Sequence, residues 1–431
     1  MEPQHNYTNG AGGMQPQVYG RKKSKKGCLI FALLMFLVVG AGVTFLIYTL
    51  YIKVNDKVEE FSDKFKDLKN KDRFIGNRNV DERFTGAFID AVLVPVTGST
   101  PKVFLLTDAS KTYIETKKRP GYYSTGVACI DCKTMVYIYD PVNNKIIGNS
   151  EYKYPDVVTA TDIVLKDGNV YQFTRSYQET KAGVNIYNAL TGELKSETKD
   201  FVASNTELSG GITELNYRPE ERIAKFETAD GRKDIVYSVD YGRVFGNEKE
   251  LRSTIERSVE GESYIFAMAN ENNDSRRQLY KITAPKKHII SQPSILMSYS
   301  DRPNMLKSYN AASEKVSDKN YIEGIIYFQD EDYIYIVSLD AAGKKANRIF
   351  TCIDAKTGKE KWIVQQDELF DYMKIDEVQS SSQSFSSTKS KITVSRLENI
   401  VTLKLKGDGL MAFDAETGKK LWAIQTAPVS L

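Results

Sequence analysis

FTCIDAKTGKEKWIVQQ (350–366) and LMAFDAETGKKLWAIQT (410–426) align without a gap at an offset of 60 residues. Asp354 falls opposite Asp414, Thr357 opposite Thr417, Gly358 opposite Gly418 and Trp362 opposite Trp422. The 431-residue chain has only 2 tryptophans, and one repeated slot takes both. The unit reads as a strand, a tight turn and a returning strand. Its Asp and Thr bond nearby backbone groups, and its Gly supplies the positive φ that a tight turn demands. Its Trp, on the returning strand, packs between neighbouring sheets.

A looser copy is VNIYNALTGELKSET (184–198), with Asn188 at the Asp position and Thr191-Gly192 at the turn. Weaker copies lie at 136–149, 236–247 and 279–290, and a weaker one again at 103–116. From about Phe84 onward, short runs rich in Val, Ile, Tyr and Phe alternate with Gly, Asn and Asp turns every 10–12 residues or so, an all-β pattern. The unit D-A-x-T-G-K-x-x-W resembles the repeat of quinoprotein-type (PQQ-like) β-propellers, where it forms the third and fourth strands of a four-stranded blade. The resemblance implies blades that bury their faces only against neighbours and therefore must close into a ring. Turn anchors at Asp108, Asp140, Asn188, Asp240, Thr283, Asp354 and Asp414 lead to an expectation of seven or eight blades over residues 84–431. The strand near Ala87–Val96 is expected to complete the last blade. A two-layer sandwich is the other architecture the pattern admits.

Ahead of the repeats the composition changes. Residues 1–27 carry Arg21, Lys22, Lys23, Lys25 and Lys26 against Glu2 alone, and the first 20 residues read as a disordered tail. Leu29–Leu50 holds no charged residue. As a helix it would span roughly 33 Å, enough for a bilayer core. Residues 28–51 are therefore read as a transmembrane helix, its 29–50 segment lying in the lipid bilayer. The basic tail (1–27) is placed in the cytoplasm and the chain beyond about Lys53 outside it, at the plasma (inner) membrane. A cleaved signal peptide is the competing reading. Within the stalk and linker (52–83), Val54, Val58, Phe61, Phe65 and Leu68 follow heptad spacing. They give either a short stalk that dimerises the protein weakly or a monomeric amphipathic one.

The net charge of +3 is owed to that basic tail, so no basic field points to nucleic acid. His5 and His288 are the 2 histidines, which leaves little room for histidine chemistry. Cys129 and Cys132 form a C-x-x-C that admits free thiols, a disulfide if the chain turns at Ile130-Asp131, or a metal or redox role. The acidic or amide-rich loops Asp330–Asp332 and Asn270–Ser275 match no calcium-loop spacing. Gly407-Asp408-Gly409 reads as a hairpin turn, and Ser380–Ser390 as a low-complexity loop. The family's dehydrogenases carry an adjacent-cysteine pair and a Trp beneath the cofactor. This chain has no Cys-Cys pair, and both Trp residues sit in the repeat slot. No catalytic, cofactor-binding or metal residue is assigned, and no cofactor is expected. The reading is a non-catalytic protein-binding scaffold or envelope-assembly factor with a protein partner on a propeller face. The alternatives are a ligand-sensing ectodomain and a glycan-acting enzyme with an acid pair in the central funnel.

Overall fold

The computed structural model describes residues 80–119, 122–154, 158–176, 183–269, 276–298, 306–342, 346–365, 369 and 392–427. The segment 29–50, expected to span a membrane, and nearly all of the expected stalk lie outside these residues, as do Asn270–Ser275 and Ser380–Ser390. Among the described residues no helix is long and apolar enough to cross a membrane.

Among the described residues twenty-four strands form antiparallel meanders in chain order. The first joins β1 (Ala87–Val96), β2 (Ser99–Asp108), β4 (Tyr122–Asp140) and β5 (Lys145–Tyr154), while β3 (Lys111–Arg119) pairs with the N-terminal half of β4. The second holds β6 (Val158–Lys166), β7 (Asn169–Ser176), β8 (Gly183–Asn188) and β9 (Leu194–Ser196). The third holds β10 (Ile212–Arg218), β11 (Ile223–Thr228), β12 (Ile235–Ser238) and β13 (Arg243–Phe245). The fourth has three strands, β14 (Glu262–Ala269), β15 (Arg276–Pro285) and β16 (Ala312–Lys315). The fifth holds β17 (Tyr321–Gln329), β18 (Tyr333–Leu339), β19 (Arg348–Asp354) and β20 (Glu360–Val364). The sixth holds β21 (Ile392–Leu397), β22 (Ile400–Leu405), β23 (Gly409–Asp414) and β24 (Lys420–Gln425). The fourth and fifth meanders share a sheet through the pairs Arg276–Ile322 and Arg277–Tyr321.

The repeated unit folds as its residues require. Asp354 Oδ1 accepts from the backbone N–H groups of Lys356 (3.0 Å) and Thr357 (2.7 Å) and from Thr357 Oγ1 (2.9 Å). Asp414 repeats this with Glu416 and Thr417, and Asn188 repeats its backbone part with Leu190 and Thr191. Gly192, Gly358 and Gly418 take φ of 74°, 68° and 70°. A residue beside the anchor also donates its N–H to a turn of the preceding hairpin in four units: Ala189, Ala355 and Ala415, each just after its anchor, to Gly168, Asp332 and Asn399, and Val239, just before Asp240, to Arg222.

Middle strands are buried on both faces: the first, second, fifth and sixth meanders each lie between two others, and the third and fourth lie between one meander and helical segments. YIYIVSL in β18 is buried at six successive positions, which period-two alternation alone does not foresee. Phe104 and Ile138 of the first meander pack on Ile163 and Tyr187 of the second. Phe173 of the second stacks on Tyr217 of the third, ring centroids 4.8 Å apart. The outer face of the third is covered by the helix Glu248–Ser258, whose Leu251 and Ile255 pack on Val236 and Phe245. Phe266 and Leu279 pack on Ile334 and Ile336, and Phe350 and Trp362 on Met411 and Phe413. Leu410 and Ile424 of the sixth meander then meet Phe88 and Leu105 of the first. The result is a propeller-like all-β fold.

Two expectations change. Asp108 and Asp140 anchor strands of one sheet, with β3 inserted between them, so the seven anchors mark six meanders among the described residues. Nor does Ala87–Val96 complete the last blade: it pairs with β2, and the sixth meander has four strands of its own. The first and last sheets meet face to face instead. Phe88 N–H donates to Thr426 Oγ1 (2.8 Å), and Gly407 N–H donates to the Phe88 carbonyl (2.8 Å).

Candidate functional site

The first strands of the first, second and sixth meanders come together. Where β1, β6 and β21 approach, with β22 behind them, they enclose a polar cavity of about 40 Å³ lined by Asp90, Thr161, Asp162, Thr393, Lys404 and Lys406. Asp90 interrupts a strand that is otherwise apolar (AFIDAVLVPV), and Lys404 is the one charge in IVTLKL. A charge at such a position requires a partner, because desolvation of an unpaired ion costs several kcal/mol.

Asp90 and Lys404 are that pair. Lys404 Nζ donates to Asp90 Oδ1 (2.7 Å) and to the Ala91 carbonyl (3.0 Å), with the lysine only 6% exposed. Asp90 Oδ1 also accepts from Ala91 N–H (2.8 Å), and Oδ2 accepts from Ile163 N–H (3.2 Å). One carboxylate thus ties the sixth, first and second meanders together. Asp162 differs. Burial, followed by the charge of Asp90, holds its carboxyl above the usual range, although Lys406, Arg175 and Lys404 oppose this. Beside it, Thr161 Oγ1 is buried without a hydrogen-bond partner among the described residues. An ion-paired carboxylate next to one pushed toward its neutral form is an arrangement that can hold or donate a proton. The cavity, however, has room for a few waters and not for a sugar ring.

These residues are separated by 72 (Asp90 to Asp162) and 314 (Asp90 to Lys404) positions, so no local motif flags them. The one signal in the sequence is a charge inside an apolar strand. Residues that the sequence does single out have other surroundings. Asp330 and Asp332 pair with Arg396 (2.8 and 3.4 Å), and Asp332 also pairs with Lys356 (2.9 Å), which gives both loop carboxylates cationic neighbours within the fold. His288 lies on the helix Lys286–Ser291 with its ring edge-on to Tyr309. Burial and the Lys287 charge hold its pKa below the usual value. Gly407 and Gly409, at φ 88° and 155°, make a turn against the seam between the last and first sheets. Cys132 is disulfide-bonded. The strand pairing skips Ile130 between Cys129 and Asp131, so β4 bulges where a disulfide within C-x-x-C requires a turn. Cys352 is a buried free thiol.

A second feature lies on the outer hairpins. Val142 and Leu190 stand two residues after their turn anchors, Tyr241 one residue after, and Ile147 and Leu421 seven residues after. All are 41–65% exposed and together make up five of the seven large exposed apolar residues described. They sit on the sixth, first, second and third meanders, each packed on the next. In the fifth meander Lys356 and Lys361 take the corresponding places.

No family model matches the chain, and no curated protein matches it. Among solved structures, BamB from Moraxella catarrhalis is similar at 13% identity and a TM-score of 0.19, over 74% of this chain and 76% of that one. Apo AztD from Citrobacter koseri is similar at 10% identity and a TM-score of 0.24, over 77% of this chain and 96% of that one. Scores this low fall short of a shared fold, so the architecture rests on the meanders and the contacts between them.

Proposed function

We propose that the chain is a single-pass, membrane-anchored, extracytoplasmic β-propeller of PQQ-like repeats that works as a non-catalytic protein-binding scaffold or envelope-assembly factor. The uncharged segment Leu29–Leu50 and the basic cluster before it support the anchor and its orientation. The observation that carries the scaffold role is the apolar series Leu421, Ile147, Val142, Leu190 and Tyr241 on neighbouring outer hairpins. Apolar side chains exposed at corresponding places on adjoining meanders are what a protein partner covers. A photo-crosslinking residue placed at Val142 or Leu190 of the full-length protein in its own cells should capture one and the same protein. The same residue at Lys356 should capture it far less. Equal capture at all three positions, or at none, rejects this surface.

The glycan-acting alternative draws support from the Asp90–Asp162 pair. Its test is turnover of envelope glycan by the full-length chain, abolished by Asp162→Asn. The 40 Å³ cavity weighs against it. Weak dimerisation through the stalk (52–83) belongs to the proposal only as a consequence of the heptad spacing there.

A further inference from the structure

Between β2 and the sheet-forming half of β4, the chain leaves the first meander and comes back. β3 pairs with β4 from Lys111–Asp131 through Thr112–Cys129 to Arg119–Tyr122. β2 and β5 meet β4 only from Cys132 onward, through Asp108–Thr134 and Cys132–Tyr154. Beyond that point the two strands pair only with each other among the described residues. Eight residue pairs from Thr112–Cys129 to Arg119–Tyr122 make a ribbon roughly 25 Å long. An unsupported two-stranded ribbon is marginal in water. Here its root is held: Ala109 N–H donates to the Lys133 carbonyl (3.0 Å), Lys133 N–H donates to Ser110 Oγ (3.0 Å), and Cys132 is disulfide-bonded.

The register brings particular chemistry to the far end. Lys117, Lys118 and Arg119 are the last three residues of β3, and Tyr122 and Tyr123 are the first two of β4. Arg119 pairs with Tyr122, and Lys118 with Tyr123. Three successive cations opposite two tyrosines have no acidic residue among them. The nearest acidic residue in the ribbon is Glu115, paired with Gly126. Cations draw a chain to anionic headgroups, and tyrosine is the side chain that favours the boundary between headgroup and acyl chain. A soluble polyanion would account for the cations but not for the paired tyrosines.

We infer that the β3–β4 ribbon is an arm whose Lys117–Arg119 and Tyr122–Tyr123 end docks on the surface of an anionic phospholipid bilayer. The contact is separate from the segment 29–50, so it can be tested whether or not the anchor reading holds. Full-length protein is held in nanodiscs of phosphatidylcholine, or used free if it does not incorporate. It is then mixed with sedimentable vesicles of phosphatidylcholine containing about 30% phosphatidylglycerol, a moderately anionic surface. The basic tail is present in every variant, so the comparison isolates the arm. Binding should fall roughly a hundredfold in Lys117→Gln/Lys118→Gln/Arg119→Gln, at about fivefold per cation. It should fall several-fold in Tyr122→Ser/Tyr123→Ser, and persist in Lys117→Arg/Lys118→Arg, which keeps the charge. Undiminished binding of the triple glutamine variant would overturn the inference. So would unchanged binding of the tyrosine variant, or full competition by soluble glycerol phosphate polymer, since either assigns the arm to polyanions and not to a bilayer.

Discussion

Trp362 of the fifth meander lies against Gly418 of the sixth: a Cβ at position 418 would stand 2.6 Å from Trp362 Cδ2. The indole N–H donates to the Ala415 carbonyl in the same turn (2.9 Å). The Trp of one repeat unit is therefore seated on the Asp-Ala-x-Thr-Gly turn of the next, and the two repeated features of the unit serve each other across a sheet boundary. Gly418→Ala adds a Cβ both at a left-handed φ of 70° and into the ring. It should cost about 2–5 kcal/mol in urea unfolding. Gly211→Ala, at φ 78° with open space around it, should cost only about 1 kcal/mol. Equal costs would show that the contact with Trp362 contributes nothing.

Trp362 and Trp422 share a slot but not an environment. Trp362 is 8% exposed, whereas Trp422 is half-buried with its ring edge-on to Tyr139 at 6.4 Å. Trp362→Ala should cost about 3–5 kcal/mol and Trp422→Ala clearly less. The midpoints of urea unfolding for the two variants check the order.

Lys404 and Asp90 join the last sheet to the first, and Lys404→Met would leave Asp90 without its cation. A loss of about 3 kcal/mol is expected, partly recovered in Asp90→Asn/Lys404→Met. Hydrogen exchange should quicken first in β1 and β22, on either side of the seam. Exchange that rises evenly over all meanders would contradict a role specific to closure.

Glu248, on the helix Glu248–Ser258, accepts from Arg218 Nη2 (2.7 Å) and also pairs with Arg252. The Arg218 hydrogen bond leads in holding its carboxyl down at about 2, against a usual 4.5. A lowered folded-state pKa stabilises the fold above the unfolded value and is lost as pH falls through the folded one, so the window runs from about pH 4.5 to about pH 2. Glu248→Gln should remove about 1–2 kcal/mol at pH 6, after allowing for solvent screening, and flatten stability across that window. An unchanged acid slope would count against the pairing.

Cys352 is fully buried, and burial pushes its thiol up to about 12. Thiolate is the reactive form, so alkylation at pH 8 should leave Cys352 unmodified until urea unfolds the sheets. Peptide mass analysis follows that site separately from Cys28.

Much of the local architecture is legible in the chain. Asp354, Thr357 and Gly358 act within five residues, so their turn is readable wherever the spelling recurs, and Asn188 with Thr191-Gly192 follows the same rule. The meander number was harder to read, because Asp108 resembles an anchor yet ends the strand from which the β3–β4 ribbon departs. A hairpin inserted between two strands of one sheet looks, in sequence, like the interval between two sheets. The exposure of Trp422 was hidden for a related reason. Its neighbour is the first meander, whose turn Asp140–Lys145 lacks the Thr-Gly pair and places Asn144 at φ 50°.

The polar cavity was not legible at all. Asp90, Asp162 and Lys404 lie on strands of three meanders, and only the packing of the sixth and second sheets against the first brings them together. Residue types and spacing dictate hydrogen bonds that close over a few positions, so the sequence alone determined the hairpins, the repeated unit and the distinct N-terminal segment. Contacts such as Phe88 to Thr426, 338 positions apart, form only once every meander has found its neighbours. For that reason tertiary structure decided the seam, the charge cluster within it and which apolar turns stand side by side.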